Sequence, residues 1–231
     1  MPQRQVGLIP LTYNAIVRVH PQCARATFWE LDPLSDDSFN VSPDIDKEAW
    51  LTAQTFEYGS CGFNIVNLAS DTSKAYATAL FCSRDDAPGS LRMPTAPASQ
   101  DAWLLTSLHI DSEFAGRGWE AVLLDACIMA LTDRGIRAVE AFGLHDDTST
   151  SADISPTISP TSHLADELTA SLVEQAEEIG LMGRSVLEGA GFRIVEDDPV
   201  IPRLRLDLPP QHNVLSAHEI EQLLQAVSVP H

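Results

Sequence analysis

Ala115-Gly116-Arg117-Gly118-Trp119-Glu120 stands between an apolar run, WLLTSLHI at 103–110, and a helical run that begins Ala121-Val122-Leu123-Leu124. A glycine loop that opens a helix straight after a strand aims several backbone N–H groups at one spot. The helix dipole adds partial positive charge there, so the spot suits an oxyanion, above all a phosphate or pyrophosphate. A plain strand–helix turn also uses Gly for its positive φ, so the loop by itself leaves both readings open. The spacing excludes the commonest phosphate loops. There is no G-x-x-x-x-G-K-[ST], and no G-x-G-x-x-G followed by an acidic residue on the next strand. Cys23, Cys61, Cys82 and Cys127 form no C-x-x-C pair, which predicts buried, reduced thiols rather than zinc ligands. Gly183-Arg184-Ser185-Val186 lacks the second glycine of a nucleophile elbow. His145-Asp146-Asp147 are adjacent at a loop start and make a poor cation cage, so no metal is expected.

The elements that must hold the loop are legible around it. Residues 103–143 read strand, glycine loop, helix, strand, with Gly135 ending the helix. Residues 6–11 predict a first strand, and Thr12 can cap a short helical stretch after it. Ser42-Pro43-Asp44 is a helix start, with a cap residue, proline in the first turn and then an acid; that helix should run to about Tyr58 and stop at Gly59. Residues 62–69 and 74–82 predict an antiparallel pair. Residues 84–100, with Pro88, Pro94 and Pro97, predict a long mobile loop able to cover a substrate groove. Residues 32–42 are turn chemistry, and 145–162 read as a Ser-, Thr-, Asp- and Pro-rich linker that cannot bury apolar surface. Leu164, Leu168, Leu172, Val173 and Ile179 have helical spacing. A short helix follows at 181–187, and residues 203–208 predict a last strand. Ser216-Ala217-His218-Glu219 is a capping box ahead of Ile220, Leu223, Leu224 and Val227. This C-terminal helix should pack back on the domain, or else serve a dimer contact.

The loop at 115–120 resembles motif A of the GCN5-related N-acetyltransferase (GNAT) family, where [QR]-x-x-G-x-[GA] binds the coenzyme A pyrophosphate through backbone amides. Leu187-Glu188-Gly189-Ala190-Gly191-Phe192 is similar to the end of the family's motif B. The resemblance spans residues 6–208, with firm motifs at 102–143 and 181–208, and is nearest to a bacterial branch of the family. It implies an α/β (α+β) fold: a mixed, largely antiparallel central sheet flanked by helices, here with a C-terminal helical extension. It also implies acetyl-CoA (or CoA) as co-substrate and transfer of an acyl group to an amine. Three positions depart from the family's pattern. Ala115 stands for Gln or Arg, Glu120 for Gly or Ala, and Leu187 for a tyrosine that protonates the departing thiolate. Glu120 at the first helical turn would repel a pyrophosphate.

The resemblance also places the candidate site. Backbone groups at Leu108 and Ile110 would bind the pantetheine arm, and Ala115, Gly116, Arg117, Gly118, Trp119 and Glu120 the pyrophosphate. The acetyl group would lie where the strands of 104–110 and 137–142 splay apart. The acceptor amine must be neutral to attack, so a base or water chain takes its proton. Glu140, on the second strand, is the first candidate base, with a pKa raised by partial burial; it could equally be an outward carboxylate. His109 is the second, since imidazole titrates near neutrality; it could equally face the helix layer. Trp29 and Glu30 could line the acceptor groove, or belong to the core. The rival to catalysis is a GNAT fold kept as an interaction or ligand-sensing module.

Composition narrows the setting. With 14 Lys and Arg against 33 Asp and Glu, the formal charge is −19, which disfavours nucleic acid and anionic membranes as partners. A basic or amine partner fits electrostatically, and solubility is the simpler purpose of the acids. The chain begins MPQRQVGLIP, without a secretory pattern, and no apolar run approaches a membrane span, so a cytoplasmic protein is expected. At 231 residues the expected organisation is one domain at 1–210, with a flexible insertion at 145–162, and a C-terminal helix within 211–231. Monomer and homodimer remain open.

Overall fold

The computed structural model describes residues 5–30, 42–146, 160–211 and 214–226. The linker expected at 145–162 and the turn region expected at 32–42 lie almost wholly outside these residues. Fourteen elements follow in order: β1 (Val6–Pro10), α1 (Pro43–Tyr58), β2 (Gly62–Asn67), β3 (Ala77–Ser83), β4 (Ala102–Ile110), α2 (Trp119–Asp133), β5 (Ala138–Leu144), α3 (Pro160–Glu174), α4 (Ala176–Ile179), β6 (Met182–Gly183), α5 (Arg184–Gly189), β7 (Arg193–Glu196), β8 (Arg203–Asp207) and α6 (Ala217–Ala226). The sheet order is β1-β2-β3-β4-β5-β8-β7, with β6 beside β5. Every neighbouring pair is antiparallel except β4–β5 and β5–β6. This is the mixed, largely antiparallel sheet flanked by helices that the GNAT resemblance implies.

Two features of the sheet set up the site. First, β4 and β5 pair only from Ala102↔Ala138 to Leu104↔Glu140, although β4 runs on to Ile110. Second, the register of β3 on β4 shifts, with Leu80 opposite Ser107 and Phe81 opposite Leu105. Thr106 is therefore the extra residue of a β-bulge, which bends the strand and raises its twist. The bulge also inverts the alternation of faces. Trp103 and Leu105 before it, and Leu108 and Ile110 after it, all pack on the core beneath α2. Ser107 and His109 are thereby turned to the opposite face. The parallel pair parts just before the bulge, after Leu104.

The main core lies between the sheet and α2, where Val122, Leu123, Cys127, Ile128 and Leu131 are fully buried against Ile65, Ala79, Phe81 and Val139. Burying each such side chain is worth about 1.5–3 kcal/mol. Burial pushes the Cys23 thiol up to about 11 and the Cys61 thiol to about 12, so these are thiols and not thiolates at neutral pH.

Residues 84–100 differ from expectation. They form two 3-10 turns rather than a free loop, with Ala87, Met93 and Ala98 buried. Arg203 Nε donates to the Thr95 carbonyl at 2.9 Å, tying the segment to β8. The capping box at Ser216 forms: Ser216 N donates to Glu219 at 2.8 Å and Glu219 N to Ser216 Oγ at 3.3 Å. α6 packs on α2 and β1, with Leu224 buried; Val227 is outside the described residues. No described helix is long and apolar enough to cross a membrane.

Candidate functional site

The glycine loop lies between β4 and α2, at the N-terminus of α2. Gly116 and Gly118 take φ of 72° and 89°, which only glycine adopts without strain. Phe114 and Trp119 anchor the loop from below. Both are fully buried, with rings stacked at 4.4 Å. The Trp119 side chain is therefore core, with its Nε1 buried and unpartnered, and only its backbone faces the loop. Ala115 and Arg117 are exposed.

The loop's anion site is in use. Gly116 N–H donates to Glu120 Oε1 at 2.6 Å. The side chain expected to repel a pyrophosphate is itself an oxyanion on a loop amide at a helix N-terminus. The backbone thus fits an anionic group, and the chain's own carboxylate already supplies one. From above, α6 reaches the loop, since Leu223 Cδ2 lies 3.3 Å from where a Gly118 Cβ would stand. Leu215 N donates to Asp125 Oδ2 of α2 at 2.7 Å, fixing the start of α6 there.

The splay between β4 and β5 also has an occupant. Residues 179–183 run into it. Leu108 N–H, the expected pantetheine donor, donates to the Gly180 carbonyl at 2.9 Å. Met182 and Gly183, as β6, pair with Gly143 and Leu144 of β5. Trp29 Nε1 donates to the Ile179 carbonyl at 2.9 Å. Trp29 is accordingly buried, stacked on Phe142 at 6.1 Å, and belongs to the core rather than to an open groove. Glu30 is a correction of the same kind. Its side chain is 5 % exposed and pairs with the equally buried Lys47 at 2.5 Å.

Glu140 is not a base of raised pKa. It is fully buried, facing away from α2, beside β8. Arg203 Nη1 donates to its Oε2 at 2.6 Å, Ser99 N to the same oxygen at 3.0 Å, and Arg205 Nη1 to Oε1 at 3.3 Å. Burial is the largest single influence and pushes the carboxyl up, but the Ser99 hydrogen bonds and the Arg203 charge together outweigh it and hold it below the usual range. A carboxylate satisfied on both oxygens is a structural anion.

His109 is on the face of β4 away from α2 and is 2 % exposed. Burial, then the neighbouring His20 and Lys47, push its pKa down to about 3, so the ring is neutral at physiological pH. It stacks on His20 at 5.9 Å. His20 Nδ1 accepts from Gln22 N at 3.3 Å, so Nε2 carries the proton and donates to Asp111 Oδ1 at 3.0 Å. His109 Nε2 and Ser107 Oγ are both buried without a partner. Leu187, in the tyrosine's place, is fully buried beneath Gly143. Asp146 accepts from Ser185 N and Oγ at 3.3 and 3.0 Å, so it holds the start of α5; Asp147 is outside the described residues.

Sequence reasoning missed Ser107, His20, Asp111 and Gly180. Ser107 had a signal, namely polar residues at 106, 107 and 109 inside an otherwise apolar strand. Two surface clefts lie away from the loop, one of about 350 Å³ between residues 16–25 and α1, another of about 710 Å³ at the start of β4 and β5 near Asp101 and Arg137.

No family model matches the chain, and no curated protein matches it. Among solved structures it is similar to an N-acetyltransferase from Staphylococcus aureus Mu50, at 12 % identity over 88 % of this chain and 98 % of that one, with a TM-score of 0.44. It is similar to the GNAT domain of S. lividans PAT, at 16 % identity over 90 % and 95 %, with a TM-score of 0.45. It is also similar to a ribosomal-protein-S5-alanine acetyltransferase from Vibrio fischeri, at 10 % identity over 92 % and 98 %, with a TM-score of 0.46.

Proposed function

We propose that this chain is a cytoplasmic acyl-CoA-dependent N-acyltransferase that passes an acetyl group directly to an amine, on a small molecule or on a protein lysine or N-terminus. One observation carries the reading: a parallel strand pair that parts just ahead of a bulge, with a glycine loop and helix N-terminus beyond the open end. Bound there, the coenzyme supplies an acyl carbon already activated as a thioester. Gly116 N–H and the α2 terminus hold the anionic end, in the place Glu120 now takes. Leu108 N–H would donate to a carbonyl oxygen of the arm, as it now does to Gly180. Transfer forms one N–C bond and breaks one C–S bond; the amine gives up a proton and the departing sulfur gains one. Leu187 has no proton to give. Neutral His109, with its pKa at about 3, suits accepting a hydrogen bond at Nε2 rather than taking the amine's proton, which would pass to water.

The second reading, a GNAT fold that binds without turning over, is favoured by the same two contacts, since both key amides are already partnered from within. Thiol release from acetyl-CoA against a panel of small amines and peptide N-termini separates the two. Amine-dependent release supports the enzyme; coenzyme binding without release under any amine supports the sensor.

A further inference from the structure

The segment closing the β4–β5 splay fits its backbone partners and leaves the side chains beneath it unserved. Its carbonyls are used: Ile179 by Trp29 and Gly180 by Leu108. Its hold on β5 is two residue pairs. Beneath it, Ser107 Oγ and His109 Nε2 are buried with no partner. Both residues press on Gly180, where an added Cβ would stand 2.7 Å from His109 Nε2 and 2.9 Å from Ser107 Cβ. Buried polar groups in native proteins are nearly always satisfied, so two orphans at one contact call for a partner.

We propose that Ser107 and His109, with the Leu108 N–H between them, form the β4 wall of the ligand cleft, and that residues 179–183 are the chain's own occupant of that wall, displaced by an amide-bearing arm such as that of coenzyme A. The proposal rests on the acyl-CoA reading above. An arm of amides matches the wall. A carbonyl takes the Leu108 N–H as Gly180 does now, an amide N–H donates to neutral His109 Nε2, and Ser107 donates to a second carbonyl. Displacement exchanges one peptide-like strand for another and serves the two orphans. The glycine at 180 is what lets the strap lie on the His109 ring.

Hydrogen exchange of the full chain, with and without millimolar acetyl-CoA, tests this alongside the thermal midpoint. The expected result is a raised midpoint together with exchange about tenfold faster or more over 176–183, since a displaced segment loses its local protection. A raised midpoint with 176–183 still protected overturns the strap and leaves the acyl-CoA reading standing. If the wild type shows no rise, two variants decide. Gly180→Ala drives a Cβ into His109, and Leu181→Ser weakens the strap's packing on the Trp29–Phe142 cluster without the backbone strain of a Cβ at φ 71°. Coenzyme binding gained by either folded variant supports displacement. Binding by neither overturns both the strap and the acyl-CoA reading.

Discussion

Replacing Glu120 with Gln removes one negative charge from the glycine loop and keeps an oxygen that can accept from Gly116 N–H, now 2.6 Å from the carboxylate. Two unit charges about 4 Å apart interact by about 1 kcal/mol in water. The contact is exposed, so that watery limit governs. A pyrophosphate carries about two charges near the loop, and relief of about 1–2 kcal/mol means coenzyme A binds about 5–30 times more tightly. An opposing effect falls on the fold. Glu120 complements the α2 dipole, and its neutralisation costs about 0.3–1 kcal/mol of stability. Affinity should rise while stability falls slightly. Titration calorimetry of both proteins at about 0.1 M and about 1 M salt reads this, because the screening length drops from about 10 to about 3 Å between them. The gain should shrink at high salt. Unchanged affinity refutes the argument, and a gain equal at both salts shows that shape rather than charge is the obstacle.

Glu140→Gln should cost about 3–5 kcal/mol in urea unfolding, because Arg203 keeps only the more distant Glu196 as an anion; its effect on turnover should follow only from stability. Glu140 titrates below the usual range when folded, so its contribution is present above the ordinary carboxylate pKa and lost as pH falls through the folded value; the variant's acid limb should be flatter. His109 has the opposite chemistry and the same direction. With a folded pKa of about 3, the unfolded chain takes the proton first, so stability falls as pH drops below about 6.5, by up to about 1.4 kcal/mol per pH unit. Urea midpoints between pH 5 and 6.5 should lose that slope in His109→Asn. Leu224→Ala should cost about 2–4 kcal/mol, and by loosening α6 from the loop it should raise exchange over residues 115–120.

Much of the frame was legible because it is local. The cap and proline at 42–44 set α1, Gly59 and Gly135 end helices, and the apolar runs at 62–69, 74–82 and 103–110 give β2, β3 and β4. β7 escaped because Arg193–Glu196 is short and largely exposed, with no alternation to read. The site was legible only as a backbone. Glycine spacing foretold the loop, but the partners of Glu140 lie on β8, some 63 and 65 residues away, and only the β5–β8 register brings them together. The strap across the splay is held by the carbonyls of Ile179 and Gly180, and backbone acceptors leave no mark on residue type. The bulge at Thr106, which turns His109 away from α2, shows in the sequence only as the adjacent polar residues at 106 and 107.

The central claim is a coenzyme site at the open end of the β4–β5 pair, and the thermal midpoint with and without millimolar acetyl-CoA tests it most directly. A ligand that binds only the folded state stabilises it by about 2.7 kcal/mol at one hundred times its dissociation constant. A rise of several degrees is expected, larger in Glu120→Gln than in the wild type. No rise in wild type, Glu120→Gln or the strap variants would contradict it.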